Sequence, residues 1–240
     1  YYSGIKKVNQ LLENIDKVPA VSDSEETRKA EIIGQAYFLR AFFYHQLYSL
    51  YGRIPLVDHT FDIDSDWVET RADMDDVADF IVKDCESAIE KLPLKYESSD
   101  DFGRATRGAA MAVKARTLLY KASPLFGEPS TEKWQEAAKA SKDIIDLGVY
   151  SLPTVSSSEE YAALFYNTQN PEIIFEKLYN NKGTYGSALH YLFQSPNGPY
   201  NGYNGWGVWL PTYDIVNAFQ NEDGSKYTVK GLASYNISLP

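Results

Sequence analysis

The sequence predicts a mainly α-helical protein. Its helices form tetratricopeptide-like pairs, an α-α superhelix, followed by a loop-rich C-terminal portion. Three observations carry that prediction. Apolar residues recur at helical spacing through residues 1–150. One helix pair sets aromatic and small residues in the rhythm of a tetratricopeptide unit. After residue 150 the helical pattern gives way to Gly, Asn, Tyr and Ser. Residues 1–150 are therefore expected as a helical scaffold, with 151–240 as a loop-rich region packed on it. The first residues show no signal-peptide pattern and no initiating Met, and already read as the inside of a helix. A single structural unit, incomplete at both ends, is expected.

Residues 2–15 place Ile5, Val8, Leu12 and Ile15 on one helical face. A loop at 16–24 follows, with Ser24 as the expected cap of the next helix. That helix, residues 25–52, is the longest pattern in the chain and stops at Gly52. Its second half is apolar nearly all round (Phe38, Leu39, Phe42, Phe43, Leu47, Leu50), which predicts burial on several sides. IPLV at 54–57 is extended, because Pro55 does not enter a helix. A helix over 73–92 opens with Asp residues that suit the helix dipole and ends at Pro93. Helices over 106–123 and 131–147 end at Pro124 and Gly148. In this pair Ala112, Ala115, Leu119 and Tyr120 are expected to meet Trp134, Ala137, Ala138 and Ile145. Beyond 150 the pattern predicts a short helix, a strand at 172–178 and a last helix over 212–224.

Composition excludes several function classes. The formal net charge is −10, and phosphate backbones need a basic surface, so nucleic acid is not an expected partner. No apolar run reaches the roughly 18 residues of a membrane-spanning helix. Cys85 is the only cysteine, which rules out an internal disulfide. It shares a face with Val77, Ile81, Ala88 and Leu92 and reads as a core residue. His45, His59 and His190 are scattered without metal-ligand spacing, and His45 reads as a satisfied core histidine. Asp62, Asp64 and Asp66 resemble the start of a calcium loop. Trp67 stands where that loop needs Gly, so a solvated acidic loop is expected instead. No nucleophile-elbow, phosphate-loop or dinucleotide motif is present, and neither an enzyme nor a cofactor is expected. The chain holds 19 Tyr, 11 Phe and 4 Trp. That excess of amphipathic rings suits a surface that recognises something.

Several segments resemble one family. AEIIGQAYFLRAFFYHQLYSLYGRIPLV is similar to the signature segment of the SusD/RagB family. The matching residues are Ala30, Glu31, Ala36, Phe38, Leu39, Arg40, Ala41, Tyr44, Leu50, Tyr51, Gly52, Pro55 and Leu56. VADFIVKDCESAIEKLP, GRATRGAAMAVKARTLLYKASPLF, NPEIIFEKLYNN and LPTYDIVNAFQNEDG resemble further family segments in the same order. The resemblance implies an α-helical fold with irregular loops. It also implies an outer-membrane lipoprotein of the cell surface that binds glycans or other nutrients. Its implied partner is a SusC-like TonB-dependent transporter, on which it acts as a lid. The lipidated Cys of the family has no counterpart in residues 1–240.

A sugar site needs aromatic faces for the C–H side of a pyranose ring and polar side chains for its hydroxyls. PNGPYNGYNGWGVWLPT, with its surroundings, supplies Tyr185, Tyr200, Tyr203, Trp206 and Trp209 beside Asn197, Asn201 and Asn204. Trp67 is a second candidate, as part of a ligand platform or facing the transporter. The expected ligand-binding set is Tyr200, Tyr203, Trp206, Asn201, Asn204, Trp67 and Tyr185, with Trp209 turned inward. Two readings stay open: rings displayed to a glycan, or rings pinning a long loop to the helices. In the second, the helix pairs form a protein- or peptide-binding scaffold.

Overall fold

The computed structural model describes residues 1–65, 68–167, 170–178 and 212–226. Among these the regular structure is helical: α1 (Tyr2–Asn14), α2 (Asp23–Tyr51), α3 (Met74–Lys91), α4 (Arg107–Ala122), α5 (Thr131–Asp146), α6 (Ser158–Leu164) and α7 (Tyr213–Ala218). The chain divides into two compact units, Tyr1–Lys177 and Leu178–Pro240. Helices α1–α6 belong to the first and α7 to the second.

The spine of the first unit is α2, 29 residues long. Its cap is Ser22 rather than Ser24. The Ser22 hydroxyl accepts the Glu25 N–H at 3.3 Å, and the Glu25 carboxylate accepts the Val21 N–H at 2.8 Å. The acids Asp23, Glu25 and Glu26 occupy the first turn, where the helix dipole favours them. Gly52 ends the helix with φ 66°, a left-handed conformation that side chains resist. Helices α1, α3 and α4 pack against α2, and α5 packs against α4. This succession of antiparallel neighbours is the helix-pair architecture of tetratricopeptide folds.

The main core gathers Ile5, Tyr44, Tyr48, Val77, Ile81 and Cys85 from α1, α2 and α3. Cys85 is fully buried, and desolvation pushes its thiol far above its ordinary range. It is an inert core residue, as its helical face predicts. A second cluster packs Phe38 of α2 on Ala88 of α3, Leu92 just past its end and Ala109 of α4. Burial of α2 is narrower than its composition suggests, however. Leu39 and Leu50 are 40% and 67% exposed. The neighbouring helices cover only part of its circumference, and these two side chains fall on the open stripe.

Close approach of α2 and α3 depends on Gly34. A Cβ there would lie 3.0 Å from both Lys91 Cβ and Leu92 Cγ. The Gly34→Val substitution is therefore expected to destabilise the unit by about 1–3 kcal/mol through overpacking. Urea unfolding would read this as a lower midpoint, and an unchanged midpoint would show that the helices can part without loss.

Three further sequence expectations need correction. The α4–α5 seam uses Ala115, Leu118, Ala137, Ala140 and Ile144, whereas Leu119, Trp134, Ala138 and Ile145 are exposed. Small residues ring both helices, so composition leaves the rotation of each loosely specified, and packing chose a face one residue away. Residues 172–178 form no strand, since no neighbouring strand among the described residues offers a ladder. Phe175 instead packs edge-on against Phe38 at 5.1 Å, and the Ser151 N–H donates to Pro171 O at 3.2 Å. In the second unit, α7 ends at Ala218 rather than running to 224. A turn follows: Asn221 N–H donates to Ser225 O at 2.8 Å, Gly224 takes φ 78°, and Gln220 bridges Lys226 antiparallel. The NEDG run carries turn chemistry that outweighs helix propensity.

Candidate functional site

Tyr185, Tyr200, Asn201, Tyr203, Asn204, Trp206 and Trp67 all lie outside the described residues, as do Trp209, Asn197 and Asp66. The structure does show how the first unit holds the loop that carries Trp67. Pro55 pairs antiparallel with Arg71, the Ala72 N–H donates to Ile54 O at 3.0 Å, and Arg53 meets Asp73 at 2.5 Å. The loop thus leaves and returns at a closed base, as compact Ω-loops do. Within it the Ser65 N–H donates to Asp62 O and the Asp62 N–H donates to Ser65 Oγ, so Asp62 shapes a turn. Among the described residues no group of His, Cys, Asp and Glu is arranged to hold a metal ion.

One side of that loop is fastened to a buried polar hub. Arg40 of α2 forks onto Asp84 of α3, with Nε to Oδ2 at 2.7 Å and Nη2 to Oδ1 at 2.8 Å. Its Nη1 donates to Asn9 Oδ1 at 2.9 Å and to Asp58 O at 3.4 Å. The Asn9 amide then donates to Val57 O and His59 O, each at 3.0 Å. Tyr44 closes the set, its hydroxyl donating to Val57 O at 3.1 Å and accepting the Val57 N–H at 2.7 Å. Arg40 also stacks between Tyr37 and Phe80, at 5.5 and 5.1 Å from the ring centroids. Burial pushes the Asp84 carboxyl up, while the two Arg40 hydrogen bonds pull it back. Burial lowers the guanidinium, and the bonds to Asp84 more than compensate, so Arg40 stays charged. Two helices, α1 and α3, and the start of the loop are thereby locked to α2 through one side chain.

A cleft of about 290 Å³ opens between α2, α4 and the 174–175 segment, lined among others by Phe42, His45, Arg116 and Phe175. His45 is buried, and its Nδ1 lies 3.0 Å from Thr117 Oγ1, whose own proton goes to Val113 O at 2.8 Å. Nδ1 must therefore donate, which leaves Nε2 as an acceptor in the neutral ring. Desolvation and, after it, the Arg116 charge push the imidazole down to about 4. The expectation of a satisfied core histidine agrees with this environment.

Helix α6 and its C-cap hold two rings that the sequence pattern did not single out. Tyr161 and Phe165 stand one turn apart, exposed, beside Glu172 and Glu176. Their i, i+4 spacing was the available signal, but in a short helix it reads equally as packing.

Stacked antiparallel helices with anchored loops define a helical-repeat scaffold of tetratricopeptide type. Residues 1–119 match the SusD-like family described as starch-binding and associating with the outer membrane. A SusD-like protein of Formosa agariphila is 27% identical over 176 residues, 72% of this chain and 30% of its own. The crystal structure of a SusD-like protein from Bacteroides fragilis is 30% identical with a TM-score of 0.76, over 95% of this chain and 42% of that one. A surface glycan-binding protein A from Bacteroides uniformis is 27% identical with a TM-score of 0.51, over 63% of this chain and 32% of its own. By this match residues 1–119 belong with the SusD-like family, and the fold is that of SusD-like proteins. The chain spans less than half the length of each of these relatives.

Proposed function

We propose that this chain is part of a cell-surface protein that binds an oligosaccharide and delivers it to a SusC-like TonB-dependent transporter in the outer membrane. The observation that carries this reading is the family fold shared with a surface glycan-binding protein at 27% identity. The aromatic and Asn-rich run at 185–209 supplies residue types suited to stacking and hydroxyl recognition. Capture by stacking and hydrogen bonding makes or breaks no covalent bond, so no catalytic group is assigned. A lipid anchor outside this sequence would tie the protein to the membrane surface.

Calorimetry of the protein against a panel of polysaccharides tests the reading. In the glycan that binds, Trp206→Ala is expected to lower affinity at least tenfold, roughly the worth of one lost aromatic contact. Absence of binding to every glycan, with binding to peptides instead, favours the second reading, a protein- or peptide-binding scaffold. That reading has its own support in an open groove of about 400 Å³ between α1 and α2, lined by Leu11, Ile32, Leu39 and Phe43. In it, Trp206→Ala leaves partner binding unchanged.

A further inference from the structure

We propose that the corner between α6 and residues 170–176 is a second, separate stacking site that takes one pyranose unit, without negative charge, of an oligosaccharide. The proposal rests on the glycan-binding reading above but uses only residues of the first compact unit. The corner encloses about 270 Å³. Tyr161 and Phe165 form one wall, 56% and 76% exposed. Their centroids are 5.6 Å apart and their planes meet at 77°. Two rings at that angle offer one face to stack on and a second to bound its edge. Apolar rings left this open, on the outside of a unit with well-filled cores, are suited to a ligand with an apolar face of its own.

The polar lining decides the ligand's chemistry. Asn170 helps build the wall: its amide donates to Leu164 O at 3.4 Å, and its Oδ1 accepts the Glu172 N–H at 3.0 Å. Beside it stand the carboxylates of Glu172 and Glu176. Glu176 Oε1 is shut off from solvent and has no hydrogen-bond partner. The exposed Glu172 carboxylate is the acceptor that a ligand in the corner can reach. Sugar hydroxyls bring donors, and pyranose C–H faces suit the rings. A uronate or sulfate brings negative charge toward two carboxylates, with Glu159 and Glu160 in the first turn of the same helix. The site is therefore built against anionic glycans.

The test uses the whole chain, with laminarin and xyloglucan oligosaccharides as neutral probes and oligo-alginate and chitosan oligosaccharide as charged ones, followed by calorimetry. Tyr161→Ala/Phe165→Ala changes exposed side chains and is expected to keep the native circular dichroism. It is expected to lower affinity for the bound neutral glycan at least tenfold, and Trp206→Ala combined with it to lower affinity further. Unchanged affinity in the double variant, while Trp206→Ala still weakens binding, overturns this site and leaves the proposed function standing. No binding of any glycan by the unaltered protein overturns both. Tighter binding of alginate than of the other probes, lost in the double variant, overturns the exclusion of anionic sugars.

Discussion

Asp84→Ala is expected to destabilise the first compact unit by about 3–5 kcal/mol, the cost of leaving a buried charge without its partner. The magnitude follows from the geometry. Arg40 and Asp84 are both nearly inaccessible, with side-chain exposures of 8% and 3%. Arg40 spends its donors on Asp84, Asn9 and Asp58 O. Removal of the carboxylate leaves a guanidinium between Tyr37 and Phe80 with two N–H groups unsatisfied and no solvent to take them. Lysine in place of Arg40 is not expected to substitute, since a point charge does not reproduce the planar fork. Arg40→Met combined with Asp84→Leu removes both charges at similar volume, and it is expected to recover most of the loss. Urea unfolding of the single and double variants decides the matter. If Asp84→Ala costs less than about 1 kcal/mol, the pair is only a marginal contributor, like exposed ion pairs in general.

The same hub links stability to the candidate site. Asn9 connects the guanidinium to Val57 O and His59 O, at the start of the loop that carries Trp67. Loss of Asp84 should therefore loosen this loop before the helices separate. Faster proteolytic cleavage between 57 and 70 in the folded variant would report it.

How much of this was legible in the sequence depends on the range of the interaction. Ends of α2 to α5 are local events, set by Ser or Thr hydroxyls at the starts of α2, α4 and α5 and by Gly or Pro residues at the stops, and the expected bounds fall within about two residues of those observed. Ser22 displaced Ser24 because two serines stand two apart and only the earlier one places Glu25 at the third helical position. The Arg40–Asp84 pair was not legible: its members are 44 residues apart, and nothing in an amphipathic pattern says which charged residue turns inward. Rotation of α4 and α5 escaped for a related reason, because Ala at many positions supports several seams. IIF at 173–175 has the composition of a strand, yet strand formation needs a partner edge, and helices took its side chains instead. Of the candidate site, the anchoring of the Trp67 loop and the exposed ring pair at the end of α6 came from the structure. The expected stacking residues at 185–206 lie outside the described residues.

The environment of His45 makes stability depend on pH in a direction that can be stated beforehand. Its folded value is about 4, against an ordinary 6.5, because burial and then Arg116 disfavour the charged ring. Between these values the unfolded chain binds a proton that the folded protein refuses, so stability rises with pH across this window. The contribution is fully present above 6.5 and is lost progressively as pH falls toward 4, by about 2–3 kcal/mol in total. Carboxylates titrate at the lower end of the same range, so the measurement is a difference between proteins. His45→Gln keeps an amide to donate to Thr117 but carries no titrating ring, and its stability should fall less than that of the unaltered protein between pH 7 and 5. The ring signal of His45 in an NMR titration should stay neutral down to pH 5. A His45 signal that titrates near 6.5, or equal pH slopes for the two proteins, would mean that water reaches the ring through the α2–α4 cleft and that Thr117 does not hold it neutral.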